Sequence, residues 1–256
     1  MTDTFAVVIA TALGAMIGSF LNVCIYRLPI EKSVVWPASA CPHCNRPLAW
    51  FENIPIAAYL ALGGRCRTCR AVIGWRYPVV EALTALMFAF GTWYFGAGLL
   101  LVSRLMFGCA LIVLFAIDFE HHVLPNVITL PGIVVGFAFS FFTEPGWQAS
   151  LVGIVVGGGS LWAVAEGYYR IRHEEGLGMG DVKMLAMIGA FLGWQLMILT
   201  LVLASFMGSI VGIVLLASRR KTMQAALPFG TFLAFGALVA AVAGDSMLRW
   251  YLSLYP

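Results

Sequence analysis

What most constrains this chain is a succession of apolar runs too long and too sparsely charged for a soluble core. Phe5 to Ile25 contains no Asp, Glu, Lys or Arg, and about 20 apolar residues in a helix are enough to cross the hydrocarbon layer of a bilayer. Further runs cover Tyr77 to Phe95, Leu99 to Ile117, Leu124 to Phe142, Ser150 to Tyr169, Val182 to Leu192, Gln195 to Ala217 and Leu227 to Leu252. Composition agrees: 61% of the residues are hydrophobic and 11% charged, whereas soluble domains carry about 25% charged residues. The pattern predicts an all-α polytopic membrane protein of about eight transmembrane helices. Val182 to Leu192 is too short to cross alone, so it either runs on through Gly193 into the next span or tilts into a thin part of the fold.

The first run has no basic residue before it and no convincing cleavage signal, which predicts a retained span, not a removed leader. With the amino terminus outside, the inner loops are Arg27 to Arg76, Asp118 to Val123, Arg170 to Lys183 and Ser218 to Ala226. They hold 13 of the 15 Lys and Arg residues, all but Arg104 and Arg249, as the positive-inside rule requires. The formal charge of +3 therefore speaks of orientation, and no nucleic-acid partner is expected. Arg219-Arg220-Lys221 reads as a topology and anionic-lipid anchor. Trp93, Tyr94, Trp147, Trp250 and Tyr251 fall near the outer ends, where an aromatic belt is expected.

The one sizeable polar segment, Arg27 to Arg76, carries Cys41-Pro42-His43-Cys44 and Cys66-Arg67-Thr68-Cys69. Two such turns can bring Cys41, Cys44, Cys66 and Cys69 around one tetrahedral zinc ion. On the reducing side of a membrane, metal is a better explanation than disulfides; free thiols or a redox pair are the alternatives. His43 is expected to face solvent, and Asn45 suits a left-handed position after the first turn. A closed four-sulfur site is structural, so zinc would hold the loop together without joining the chemistry. Cys24 and Cys109, in apolar runs, read as core residues. Asn22, deep in the first run, calls either for a hydrogen-bond partner inside the bundle or for contact with a substrate or cofactor.

Two aspartates stand at the ends of apolar runs. Asp181 closes Gly176-Leu177-Gly178-Met179-Gly180 and lies at, or one residue before, the first turn of a helix, where it can cap free amides. Asp118 ends the third run. In the topology above both lie at the inner ends of spans, and ionisable groups in such places are functional candidates by default. Two carboxylates sharing a site cannot both ionise cheaply. Such a pair can take a proton from an attacking water and give one to an amide carbonyl, which is aspartic protease chemistry. Asp118 with Glu120, His121 and His122 is an alternative metal site.

Gly178-Met179-Gly180-Asp181, Asp118 followed by Leu124-Pro125-Asn126, the paired cysteine turns, and Gly18-Ser19-Phe20-Leu21-Asn22-Val23 with Tyr26-Arg27-Leu28-Pro29 together resemble the type IV prepilin peptidase family. Asn53-Ile54-Pro55, Arg76-Tyr77-Pro78 with Glu81, and Pro228-Phe229-Gly230 extend the resemblance over almost the whole chain. It implies a bifunctional enzyme of the bacterial inner membrane, multi-pass, with its active site facing the cytoplasm. Such enzymes cut the leader from type IV prepilins or type II secretion pseudopilins, then methylate the new terminal amine with S-adenosylmethionine. By that analogy Asp118 and Asp181 are the catalytic pair, and Cys41, Cys44, Cys66 and Cys69 bind zinc. The domains would be 1–26, a first transmembrane helix; 27–76, a cytoplasmic zinc-binding loop domain associated with methylation; and 77–256, the peptidase bundle. The chain departs from the family pattern at Asn45, Val72 and Gly74, which leaves the ligands intact. No glycine-rich nucleotide loop marks the methyl-donor site. Competing classes are a transporter with proton-relay carboxylates and a non-catalytic assembly factor whose zinc loop docks a partner.

Overall fold

The structure is a computed structural model that describes residues 4–174, 176–217 and 228–254. Its helices are α1 (Thr4–Arg27), α2 (Ala57–Ala61), α3 (Arg76–Phe95), α4 (Leu99–His121), α5 (Asn126–Phe139), α6 (Trp147–Arg172), α7 (Met179–Ala217) and α8 (Phe229–Leu252), and no strand is present among the described residues. Six of them are long and apolar enough to cross a membrane: Thr4–Ile30, Arg76–Phe95, Leu99–His121, Trp147–Arg172, Met179–Leu215 and Phe229–Leu252. Arg219, Arg220 and Lys221, with the inner loop expected over 218–226, lie outside the described residues. The chain divides into two compact units, Met1–Val113 and Leu114–Pro256, with α4 straddling the division.

In the first unit, α1 packs on α3 through small residues one helical turn apart. A Cβ added at Gly14 would lie 2.7 Å from Phe88 Cβ, and one at Gly18 would lie 2.7 Å from Glu81 Cα. Backbones this close gain dispersion contact that larger side chains would prevent, the usual route to helix association in lipid. Asn22 finds the partner its burial demands, since its Nδ2 donates to Tyr77 O at 3.0 Å and to Gly18 O at 3.3 Å. The first part of α4 lies against α3, with Leu101 and Leu105 over Gly91 and Met87 over Gly108.

The second unit is organised by α7. Gly193 interrupts this helix with φ 76° and ψ 173°, a conformation essentially reserved for glycine, and a Cβ there would lie 2.9 Å from Pro145 Cβ. The contacts on either side show a fold-back. Gly180 and Gly230 both abut Leu124, which places the start of α7 beside the start of α8. Further along, Leu196 meets Gly244, Thr200 meets Gly236, and Gly208 meets Phe232, so the second arm of α7 runs antiparallel to α8 and returns. A straight helix would carry Gly208 about 42 Å beyond Gly180.

The first arm, residues 179–192, packs antiparallel on α6, where Gly153 faces Gly189 and Gly157 faces Leu185 O at 2.9 Å from an added Cβ. Ser150 Oγ donates to Ala190 O at 2.8 Å across the same seam. The same arm runs parallel to α5, with Gly132 under Met187 and Gly136 under Phe191. The expected break near Gly193 is thus present, between two helical arms that fold back on one another.

The expected count of eight spans rests on two segments that length does not support. The fourth run, expected over Leu124 to Phe142, contracts to the 14 residues of α5. Pro125 holds an extended backbone at the N-cap and has no N–H to give. Beyond Phe139 the hydroxyls of Ser140 and Thr143 take the carbonyls of Phe137 and Phe139, the local competition that ends helices. At about 1.5 Å per residue, α5 and the first arm of α7 each reach only about 21 Å, short of the roughly 30 Å hydrocarbon layer.

Candidate functional site

Asp118 lies in the last turn of α4 and is 4% exposed. Its Oδ2 accepts the Thr231 backbone N–H at 2.6 Å and the Thr231 hydroxyl at 2.9 Å. Thr231 sits in the first turn of α8, where amides have no partner within the helix, so the free end of α8 is satisfied by a carboxylate from α4. The approach requires Gly230: a Cβ there would lie 3.0 Å from Asp118 Oδ2 and 2.9 Å from Leu124 Cδ1. Past Asp118 the helix closes when His122, at φ 54°, donates its N–H to Asp118 O at 2.9 Å.

Asp181 lies in the first turn of α7. Its own N–H donates to Gly178 O at 3.1 Å, and its carboxylate accepts a hydrogen bond from the Gly178 backbone. It therefore caps the helix by reaching back from inside the first turn. Gly180, immediately before it, lies against Leu124, the residue that also touches Gly230. Asp181 is within electrostatic range of Asp118. The starts of α7 and α8 and the end of α4 thus converge, bringing together two carboxylates 63 positions apart in the chain. Lys183 turns away from the pair and donates to Asn126 Oδ1 at 2.8 Å.

The four cysteines form a second centre, in the loop between α1 and α3. Each C-x2-C turn folds by the same local rule. Cys41 O accepts the Asn45 N–H at 2.9 Å and Cys41 N–H donates to Arg46 O at 2.9 Å; Cys66 O accepts the Arg70 N–H at 3.0 Å and Cys66 N–H donates to Ala71 O at 2.8 Å. Asn45 and Arg70 occupy matching left-handed positions at φ 54° and 58°. Isolated bridges Ala40 to Pro47 and Arg65 to Val72 close each turn, so Val72 fits its place, and His43 is exposed as expected.

The Sγ atoms of Cys41, Cys44, Cys66 and Cys69 all lie within 4.8 Å of one another. A tetrahedron with metal–sulfur bonds of about 2.3 Å has edges of about 3.8 Å, and the Cys41 to Cys69 separation is 3.8 Å. Amides of Cys69 and Thr68 hold the Cys66 thiol down to about 6. The Ala71 amide acts in the same sense on Cys69, but burial and the neighbouring sulfurs push it up to about 11. Ionising four sulfurs this close together would call for a cation among them, and the donor set fits a metal. Among the described residues this is the one group of three or more such side chains gathered so tightly; Asp118, Glu120, His121 and His122 do not form another.

Sequence reasoning missed Thr231. Pro228-Phe229-Gly230-Thr231 reads only as the bent start of a span, and the signal available was a proline and a glycine in a first turn whose amides would need an acceptor. It also missed the buried setting of Glu81, whose Oε2 accepts the Ile56 N–H at 2.7 Å.

The chain matches known proteins along most of its length. Residues 12–95 match the bacterial peptidase A24 N-terminal domain and residues 105–213 the type IV leader peptidase family. A prepilin leader peptidase/N-methyltransferase of Pseudomonas aeruginosa is 38% identical, over 94% of this chain and 91% of that protein. A protein of the same description from Pseudomonas putida is 37% identical over 96% and 94%, and one from Burkholderia pseudomallei is 35% identical over 89% and 82%. No solved structure matches. With its paired carboxylates, its four-cysteine loop and these relatives spanning nearly its whole length, the chain is a multi-pass membrane protein that belongs to the type IV leader peptidase family.

Proposed function

We propose that this protein cleaves the leader peptide of type IV prepilins or type II secretion pseudopilins at the cytoplasmic face of the bacterial inner membrane, then N-methylates the new terminal residue with S-adenosylmethionine. The observation that carries the reading is the convergence on Leu124 and Gly230 of the helix ends that bear Asp118 and Asp181, in a chain whose relatives are described as prepilin leader peptidase/N-methyltransferase. Neither the transporter nor the assembly-factor alternative accounts for those relatives.

The mechanism follows from the chemistry of a carboxylate pair. One carboxylate takes a proton from water as the water oxygen attacks the scissile carbonyl, and the other gives a proton to the carbonyl oxygen. Collapse of the tetrahedral adduct breaks the C–N bond as the leaving amine is protonated, and the pair ends with the protons it began with. Thr231 fixes Asp118 for this work through two hydrogen bonds to one oxygen, Oδ2. The active site would lie in the bundle of residues 77–256.

Residues 27–76 would form a zinc-binding loop domain, with Cys41, Cys44, Cys66 and Cys69 as ligands. Zinc suits four thiolates better than harder cations do, and in a closed set it supplies cross-linking. S-adenosylmethionine, when bound, supplies an electrophilic methyl group. Membrane lipids surround the helices.

The test is incubation of detergent-solubilised protein with a prepilin. Cleavage is expected, and Asp118→Asn and Asp181→Asn should each lower it about 10³-fold without changing helix content. Processing that survives both substitutions would exclude the pair. A gain of one methyl group at the new terminus, read by mass spectrometry, tests the second activity.

A further inference from the structure

The amino-terminal unit encloses a cavity of about 580 Å³ between the last turns of α1, the cysteine-bearing loop and the start of α3. That volume is typical of a small-molecule site. One wall is built of buried hydrogen-bond acceptors. Asn22, 2% exposed, has its Nδ2 engaged while its buried Oδ1 has no partner. Glu81, 8% exposed, lines the same space and is held in place by the Ile56 amide and a hydrogen bond with Ser19.

The basic side chains around the cavity are engaged through their terminal groups or stand in solvent, with the buried Arg46 Nε left over. Arg46 pairs with Glu52 at 2.7 Å, Arg27 donates to Ser33 O and Ala38 O, Arg67 lies 5.4 Å over the Phe51 ring, and Lys32 is exposed. A buried acceptor without a donor is costly, and beside a buried carboxylate it suits a ligand carrying positive charge. Tyr26, Trp36 and Tyr59 also line the cavity and offer flat faces for an aromatic base.

We propose that this cavity binds the sulfonium methyl donor, with Asn22 Oδ1 and the Glu81 carboxylate facing its cationic end and the aromatic side chains against its nucleoside. The assignment rests on the N-methylation reading above and names where that activity takes its donor. The same acceptors suit the ammonium of a freshly cut amino terminus, so the experiment has to separate donor from acceptor.

Calorimetric titration of the full-length protein in detergent with S-adenosylmethionine, with its neutral product S-adenosylhomocysteine, and with a short amino-terminal pilin peptide provides that separation. Wild-type protein should bind the sulfonium more tightly than the thioether. Glu81→Gln should remove most of that preference, weakening the sulfonium roughly ten-fold, as loss of one charge-assisted contact predicts, and the thioether little. Ala58→Trp, which fills the cavity from its wall, should abolish binding of both. Metal content and melting temperature show whether each variant is folded.

Equal weakening of both ligands by Glu81→Gln, unchanged binding in Ala58→Trp, or a wild-type protein that ignores the donor and binds the peptide amine overturns the assignment. If Glu81→Gln does not fold, the wild-type preference and Ala58→Trp decide. A protein that binds the donor here but transfers no methyl group would refute the proposed second activity and leave the cavity assignment standing.

Discussion

The two centres are assembled in opposite ways. Each cysteine turn is closed by backbone bonds spanning a handful of residues, and the two turns lie within one loop. The carboxylate centre draws Asp118, Asp181 and Thr231 from the ends of three helices, with 113 positions between Asp118 and its hydrogen-bond donor. A site of the first kind depends on local turn chemistry and on whatever binds its four sulfurs. One of the second kind depends on how every intervening helix packs. Damage to the first should stay local, whereas damage far from the second should reach it.

Among substitutions that test this contrast, the largest effect expected is at the metal. Cys41→Ser should reduce bound metal at least about ten-fold, since a structural site is held by all four ligands, and elemental analysis of purified protein reads this directly. Because the loop is self-contained, prepilin cleavage should fall much less than metal content. Equal loss of both would break the contrast.

Next comes the fold-back at Gly193. Gly193→Val forces a branched side chain into a backbone conformation that costs about 1–3 kcal/mol by itself and into the space of Pro145. The melting temperature in detergent should drop, and cleavage should drop with it although the substitution lies at the opposite end of the first arm from Asp181, about 18 Å along the helix. Gly159→Ala is the control, because nothing lies within 4 Å of the added Cβ; it should leave stability unchanged or raise it.

A smaller effect is expected from Thr231→Val, which removes one of the two donors to Asp118 but keeps the backbone N–H. A hydrogen bond to a charged group contributes about 1.5–3 kcal/mol, so kcat should fall at least roughly ten-fold with KM little changed, and Thr231→Ser should restore it.

The smallest effect is within the loop. Arg46 and the Ala49 amide hold the Glu52 carboxyl below its ordinary value. A depressed value in the folded state means the contribution is complete above the unfolded value of about 4.3 and disappears as pH falls through the lower folded one. Exchange of the Ala49 amide should accelerate over that acid window and lose this pH dependence in Glu52→Gln.

The same contrast explains what could be read from the chain before its structure. The cysteine cluster is legible because its spacing is its geometry: Asn45 and Arg70 need only be two residues able to turn left-handed after a C-x2-C. Asp181 is legible from the glycines before it, and the apolar runs announce the bundle. Thr231 is not, since nothing near it in sequence indicates that a carboxylate from α4 will meet its amide. The end of α5 is hidden for a related reason. Phe139, Phe141 and Phe142 keep the run apolar, and only the hydroxyls of Ser140 and Thr143 taking nearby carbonyls turn the chain out of the helix. The buried acceptors Asn22 and Glu81 were each visible as polar residues in apolar runs, but the space they share appears only once α1 lies on α3.

The shortness of α5 and of the neighbouring first arm of α7 bears on the surrounding lipid. Residues 184–193 of that arm are buried among other helices, so of the two only α5 presents a short face to the acyl chains. Such a face is met by local thinning or by flanking side chains reaching for the interface, at a cost of fractions of a kcal/mol per ångström.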